Sequence, residues 1–239
     1  MNTNIKKTKD FMFKQFTITG GFSGMPVSTD GVLLGAWSKV QQAKYILDIG
    51  TGTGLLSLMC AQRNALAIID AIDIDEHAIE AAKKNVQNSP WDSRIHLHHG
   101  DVLDYSLSAL FDSIVCNPPY FNDGEQAQVR QRAVARHTDQ LSHKELLERC
   151  FHLLSDHGNA NFILPVVEGR QFIESAKKSG WHLKSLCEVK PTSLKDVSRL
   201  LIELSKQPCT AEVEALTIRD TTGYSPEFIA LTKDFYLKM

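Results

Sequence analysis

Tyr45-Ile46-Leu47-Asp48-Ile49-Gly50-Thr51-Gly52-Thr53-Gly54 decides how the rest of the chain is read. The first five residues form a short apolar strand carrying one carboxylate, and three glycines at spacing two follow. Glycine adopts φ > 0 without steric penalty and lets a backbone approach a ligand closely. Residues 55–63 are apolar all round, as for a helix packed on a sheet. The helix that leaves such a turn offers unpaired N–H groups to an anionic end of a ligand. Strand, glycine turn and helix in this order open the nucleotide-binding α/β sheets, whose dinucleotide members space their glycines G-x-G-x-x-G. Here the spacing is G-x-G-x-G. A tight strand-to-helix connection with no ligand would read the same way, so the turn alone does not settle function.

Working outward, 67–73 reads as a second strand, 94–99 as a third, 113–116 as a fourth and 160–164 as a fifth. Helices are expected at 55–63, 76–88, 142–154, 168–179 and 226–237. The Ala/Lys-rich helix at 76–88 reads as a solvated face. Residues 181–189 and 200–205 are two further strands with no helix between them, which implies antiparallel pairing; 213–218 reads as one more. The alternation predicts an α/β fold with a mostly parallel seven-stranded sheet, an antiparallel last hairpin and helices on both faces. Residues 1–43 read as an irregular or hairpin-like lead-in with a short helix at 32–37, and 44–239 as the core of a single domain.

The 239 residues suit one such domain, and a net charge of −2 gives no global field for nucleic acid. A nucleic-acid site must then be a local basic patch. No apolar run is long enough to span a membrane, and Met1–Lys7 lacks a secretory apolar stretch. Five cysteines without metal-ligand spacing point to a reducing cytoplasm rather than a disulfide framework. His96, His98 and His99 alternate along the third strand without an acidic or cysteine partner at matching spacing. They read as edge or surface residues, and no metal is expected.

The fourth strand runs directly into Asn117-Pro118-Pro119-Tyr120. The prolines hold their own φ, restrict the residue ahead of each, and lack an N–H, so this rim presents acceptors. Asn117 Oδ1 and the Pro118 carbonyl can both face one NH2 group, and Tyr120 or Phe121 can stack on the flat group that bears it. An amide or aryl amine is a poor nucleophile because its lone pair is delocalised. Two acceptors on its N–H bonds orient it and favour the cationic transition state. Asp48, Asp73 and Asp101 close three successive strands along the edge where ligands of open α/β sheets bind, and a carboxylate such as Asp73 can accept ribose hydroxyls. Arg130, Arg132, Arg136 and His137 follow the corner; they suit phosphates or belong to an ordinary solvated loop. Lys6, Lys7, Lys9 and Lys14 form a second basic group, and Lys190, Lys195 and Arg199 a third.

The glycine turn is similar to the cofactor loop of Rossmann-like, class I S-adenosylmethionine-dependent methyltransferases. Four stretches resemble the bacterial methyltransferases that modify N6 of adenine 37, beside the anticodon, in valine tRNA. They are Phe13-Lys14-Gln15-Phe16, Thr29-Asp30-Gly31-Val32-Leu33-Leu34-Gly35-Ala36-Trp37, Ser89-Pro90-Trp91 and the Asn117 corner. Tyr224-Ser225 and Phe235-Tyr236-Leu237 fit as well. The resemblance implies S-adenosylmethionine as cofactor, tRNA as partner and a cytoplasmic enzyme. It implies a cofactor site of Asp48, Gly50, Gly52, Gly54, Asp73, Asp101 (by the adenine amino group) and Asn117, with the Thr29–Asp30 end of the N-terminal block closing over it. Asn117, Pro118 and Tyr120 would be catalytic, and Phe121, Lys14, Arg130, Arg132 and Arg136 would meet substrate. Two rival readings remain: a glutamine N5-methyltransferase acting on release factors, which uses the same corner, and a non-catalytic nucleotide-binding protein.

Overall fold

The computed structural model describes residues 8–21, 26–107, 109–118 and 143–239. A two-stranded hairpin, β1 (Phe11–Met12) and β2 (Thr17–Ile18), precedes helix α1 (Thr29–Trp37). Then come β3 (Tyr45–Ile49), α2 (Leu55–Arg63), β4 (Ile68–Asp73), α3 (Glu76–Gln87), β5 (Ile95–His99) and β6 (Phe111–Cys116). After the corner follow α4 (His143–Leu153), β7 (Leu154–Pro165), α5 (Val166–Lys178), β8 (His182–Thr192), β9 (Arg199–Ser205), β10 (Glu212–Arg219) and α6 (Pro226–Thr232).

Eight strands form one sheet in the order β10-β8-β9-β7-β6-β3-β4-β5. The chain lays β3, β4 and β5 outward in one direction, then returns to place β6 on the other side of β3. That reversal is the switch point at which open α/β sheets bind ligands, beyond the strands' C-terminal ends. The late strands β8 and β9 pair antiparallel, as the missing helix between them implied. The sheet nevertheless exceeds the expected seven strands, because β10 joins its edge, parallel to β8. The strand that runs against the rest, β9, lies inside the sheet between β7 and β8, where it pairs antiparallel with both.

One face of the sheet packs α1, α2, α3, α6 and the N-terminal hairpin; the other packs α4 and α5. The N-terminal block shares the first core: Val32, Leu33 and Leu34 have no exposed surface, and Phe13 stacks on Phe16 at 4.6 Å. Helix α1 begins where the Ser28 hydroxyl accepts the Gly31 N–H at 3.1 Å, an N-cap. Its two glycines, one turn apart, face α2: a Cβ on Gly31 would lie 3.0 Å from Leu55, and one on Gly35 2.6 Å from Met59 Sδ. The helices therefore approach at the width of a bare backbone.

Helix α3 corrects an expectation. It is not a solvated face, since Ala78, Ala81, Ala82, Asn85 and Val86 are buried at helical spacing. The helix expected to run through Leu154 ends at Leu153, where the chain passes directly into β7. The last helix ends at Thr232, not near Leu237. No helix among the described residues is long and apolar enough to cross a membrane.

Candidate active site at the switch point

Gly50, Gly52 and Gly54 all take left-handed φ (70°, 58° and 83°), so the sequence of this turn follows from its backbone. A Cβ on Gly50 would meet nothing within 4 Å, and one on Gly52 only the Gly50 carbonyl at 4.0 Å. The glycines at these two positions thus border open space. Gly54 instead abuts Ala82 of α3 and serves packing.

Asp48 is fully buried beneath the turn. Its Oδ2 accepts from the Thr51 hydroxyl (2.7 Å), the Ser57 hydroxyl (2.6 Å) and the Ser57 N–H (3.0 Å). The carboxylate thereby occupies an N–H of the first turn of α2, which sequence reasoning had offered to an external anion. Its other oxygen, Oδ1, is buried with no partner. Burial pushes the carboxyl up from its ordinary value to about 6, against the pull of Ser57 and Thr51, with a small further push from Asp73.

Asp73, at the end of β4, braces the turn as well. Its Oδ2 accepts the Gly52 N–H at 2.8 Å and its Oδ1 the Asp75 N–H at 2.9 Å. Burial raises its pKa, partly countered by these N–H groups. The Ile74 N–H adds to the same effect. Asp101 follows β5, and its Oδ1 accepts the Leu103 N–H at 2.9 Å.

Asn117 lies two residues beyond Val115, which is in register with Asp48 on the neighbouring strand. Its Oδ1 is buried without a partner, and Pro118 is buried beside it. Asp48 on β3 and Asn117, the residue after β6, thus each carry a buried oxygen without a partner near the C-terminal ends of adjacent strands. Such atoms are costly unless something supplies a donor. An ammonium beside Asp48 Oδ1 and an NH2 group beside Asn117 Oδ1 would satisfy both.

Thr29 and Asp30 stand at the N-terminus of α1, which the Gly31–Leu55 contact sets beside the start of α2. Asp30 Oδ2 accepts from Arg199 Nε at 2.7 Å, joining this block to the first residue of β9. Lys14 is not brought to the corner. Its Nζ donates to the Lys233 carbonyl at 2.5 Å, and it lines a cavity of about 430 Å³ with Gln62 and Arg63 at the far end of α2. Tyr120, Phe121, Arg130, Arg132, Arg136 and His137 lie outside the described residues, as do Lys6 and Lys7.

Sequence reasoning missed several supports. Asn85 of α3 donates to the carbonyls of Thr19 and Thr53 and accepts from the Thr19 N–H, tying the glycine turn to the N-terminal hairpin. His98 lies on the edge strand as expected but does have an acidic partner, with Nε2 2.6 Å from Asp70 Oδ1 and Nδ1 3.2 Å from the Tyr105 hydroxyl. Arg149 of α4 donates to the Val102 and Tyr105 carbonyls at 2.8 and 2.6 Å. The turn carrying Asp101 is therefore gripped from both sides. The helical spacing 78, 81, 82, 85 would have revealed Asn85; nothing local marks His98 or Arg149.

A model of the methyltransferase small domain matches residues 17–147. The chain is 59% identical over 239 residues, the full length of both, to a tRNA1(Val) (adenine(37)-N6)-methyltransferase of Vibrio vulnificus strain YJ016. It is 52% identical, again over the full length of both, to one of Vibrio cholerae serotype O1 strain M66-2. Among solved structures, a predicted O-methyltransferase from Agrobacterium tumefaciens superimposes with a TM-score of 0.67 at 16% identity, covering 86% of this chain and 96% of that one. A glycopeptide N-methyltransferase complexed with S-adenosylmethionine gives a TM-score of 0.55 at 13% identity, covering 76% and 100%. At these identities the solved structures speak for the fold.

Proposed function

Because the chain belongs to the tRNA1(Val) (adenine(37)-N6)-methyltransferases, we propose that its switch-point crevice methylates N6 of adenine 37 in the anticodon loop of valine tRNA, in the cytoplasm. S-adenosylmethionine supplies an electrophilic methyl group on a sulfonium. The residues fit that cofactor: the open sides of Gly50 and Gly52 accommodate its body, and the bare Asp48 Oδ1 suits its ammonium. Asp73 would accept from the ribose hydroxyls, and Asp101 suits the adenine amino group. Thr29 and Asp30 would border the methionine end, with Asp30 steadied by Arg199.

Asn117 carries the catalytic reading. Its buried, partnerless Oδ1 and the neighbouring Pro118 carbonyl are acceptors that an N–H2 group would satisfy together. Holding both N–H bonds turns the nitrogen lone pair out of conjugation and stabilises positive charge as it forms. No strong base is required, because the methylated, cationic nitrogen readily loses a proton to water. Tyr120 would stack on the adenine, with Phe121 beside it, and Arg130, Arg132 and Arg136 would meet RNA phosphates. The base must leave its stack to enter, as for enzymes acting on bases generally.

Mass spectrometry of tRNA nucleosides from cells lacking the protein tests this. N6-methyladenosine should disappear from position 37 of valine tRNA and return with the unaltered gene. An unchanged nucleoside profile, or methylation of a release factor in place of tRNA by the purified protein, would overturn it.

A further inference from the structure

The β8–β9 hairpin leaves the sheet at the same edge as the Asn117 corner. Strand β7 runs parallel to β6, and Cys116 is in register with Phe162; β7 then ends at Pro165, opposite Arg199. The last β8–β9 pair is Val189–Arg199, so residues 190–198 project past that ladder. They are braced rather than loose. Lys190 and Thr192 remain paired with Thr217 and Arg219 of β10. The Lys195 N–H donates to the Thr192 carbonyl and the Ser198 N–H to the Val189 carbonyl, while the Ser198 carbonyl accepts the Val166 N–H from the start of α5.

At the tip of this braced turn Leu194 is 93% exposed, and Val167, at the start of α5, is 63% exposed. Scattered exposed leucines are ordinary on protein surfaces. Of the others, Leu66 and Leu110 precede β4 and β6 and so lie at the opposite edge of the sheet, while Ile74, 53% exposed, directly follows β4 at this edge. Leu194 differs in being carried on a projecting, hydrogen-bonded arm at the catalytic edge, next to exposed Lys195, with Lys190 along the arm and Asp196 as the acid nearest in sequence. At about 4.8 Å between neighbouring strands, the tip lies roughly 10–15 Å across the edge from β6. One RNA loop can touch both.

We propose that Leu194 is a wedge residue. When adenine 37 leaves the anticodon-loop stack for the Asn117 crevice, Leu194 covers the face of the base left behind, and Lys195 and Lys190 meet the adjacent phosphates. Apolar wedges that unstack a base step use this residue type, and extrusion of a base exposes a face that such a side chain can cover. The proposal rests on the tRNA reading above and adds the element that drives extrusion.

A valine tRNA transcript with 2-aminopurine at position 37, which brightens when unstacked, reads the step directly. Binding to the unaltered chain should raise its fluorescence. Leu194→Ser should abolish most of that rise and lower kcat/KM on ordinary tRNA about tenfold, the scale of one lost stacking contact. Leu194→Met should restore both. Melting temperature and S-adenosylmethionine affinity should stay unchanged in each variant. Lys195→Ala should weaken tRNA binding and reduce its salt slope by about one. A Leu194→Ser enzyme with unaltered kcat/KM and fluorescence would overturn the wedge while leaving the substrate reading intact. Failure of the unaltered chain to methylate tRNA would instead overturn that reading, and the wedge with it.

Discussion

At the residue scale, the proposed site turns on two oxygens, Asp48 Oδ1 and Asn117 Oδ1, both buried and both without a donor. They make separable predictions. Asn117→Ala should lower kcat by about 100-fold or more, the usual cost of one preorganised polar contact, while S-adenosylmethionine still binds by calorimetry. Collapse of cofactor affinity in that variant would assign Asn117 to the wrong partner. Asp48 makes a pH prediction. Its folded pKa, about 6, lies above the ordinary 3.8, so the folded ligand-free chain binds a proton more tightly than the unfolded one. The stabilisation is complete below about pH 4 and is lost as pH rises through about 6. It amounts to on the order of 2–3 kcal/mol by linkage. Urea unfolding followed across this range should show the decline in the unaltered chain and a flatter curve in Asp48→Asn. An ammonium beside Oδ1 favours the ionised form, so cofactor affinity should rise with pH through about 6 and then level off. A pH-independent affinity would remove Asp48 from the cofactor site.

At the element scale, the turn that carries Asp101 shows how support reaches a site from elements distant in sequence. Asp70 on β4 meets His98 on β5, His98 meets Tyr105, and Arg149 on α4 takes the carbonyls of Val102 and Tyr105. Even the glycine preceding Asp101 belongs to this packing, since a Cβ on Gly100 would lie 2.6 Å from the Tyr105 ring. Tyr105→Phe keeps the ring and removes only the hydroxyl. It should raise the KM for S-adenosylmethionine several-fold, leave kcat at saturating cofactor nearly unchanged, and cost about 1 kcal/mol of stability. A fall in kcat with KM unaltered would mean that the turn serves the substrate side. The α1–α2 contact is the other element-scale device, in which bare glycines on one helix admit Leu55 and Met59 from the next.

At the scale of the whole molecule, net charge and topology set what the surface can do. With a net charge of −2, attraction to RNA must come from patches, so tRNA binding should weaken with added salt by a slope that corresponds to the few counterions such patches release. Filter binding at several salt concentrations measures this; a flat response would argue for a protein substrate. Saturating S-adenosylmethionine should raise the unfolding free energy by about 2.7 kcal/mol at a hundredfold excess over Kd. An unchanged melting temperature at that excess would exclude the cofactor.

What was legible in the sequence was what local chemistry writes there. Period and composition located the parallel strands, and the left-handed glycine turn required its own residue type. The Asn117 corner was readable because proline restricts the backbone through bonds within two residues. Thr29–Trp37 was recognisable, but its glycines are explained only by the α2 side chains they meet. Other features arise from contacts between distant segments, and the tertiary structure alone decided them. β9 enters the sheet between β7 and β8, β10 closes the edge, and Lys14 is carried to the far end of α2 while Arg199 is brought to Asp30. The physical reason is range: torsional preference and periodicity act over a few residues. Strand order and the burial of a lone carboxylate oxygen depend instead on how segments far apart in the chain pack together.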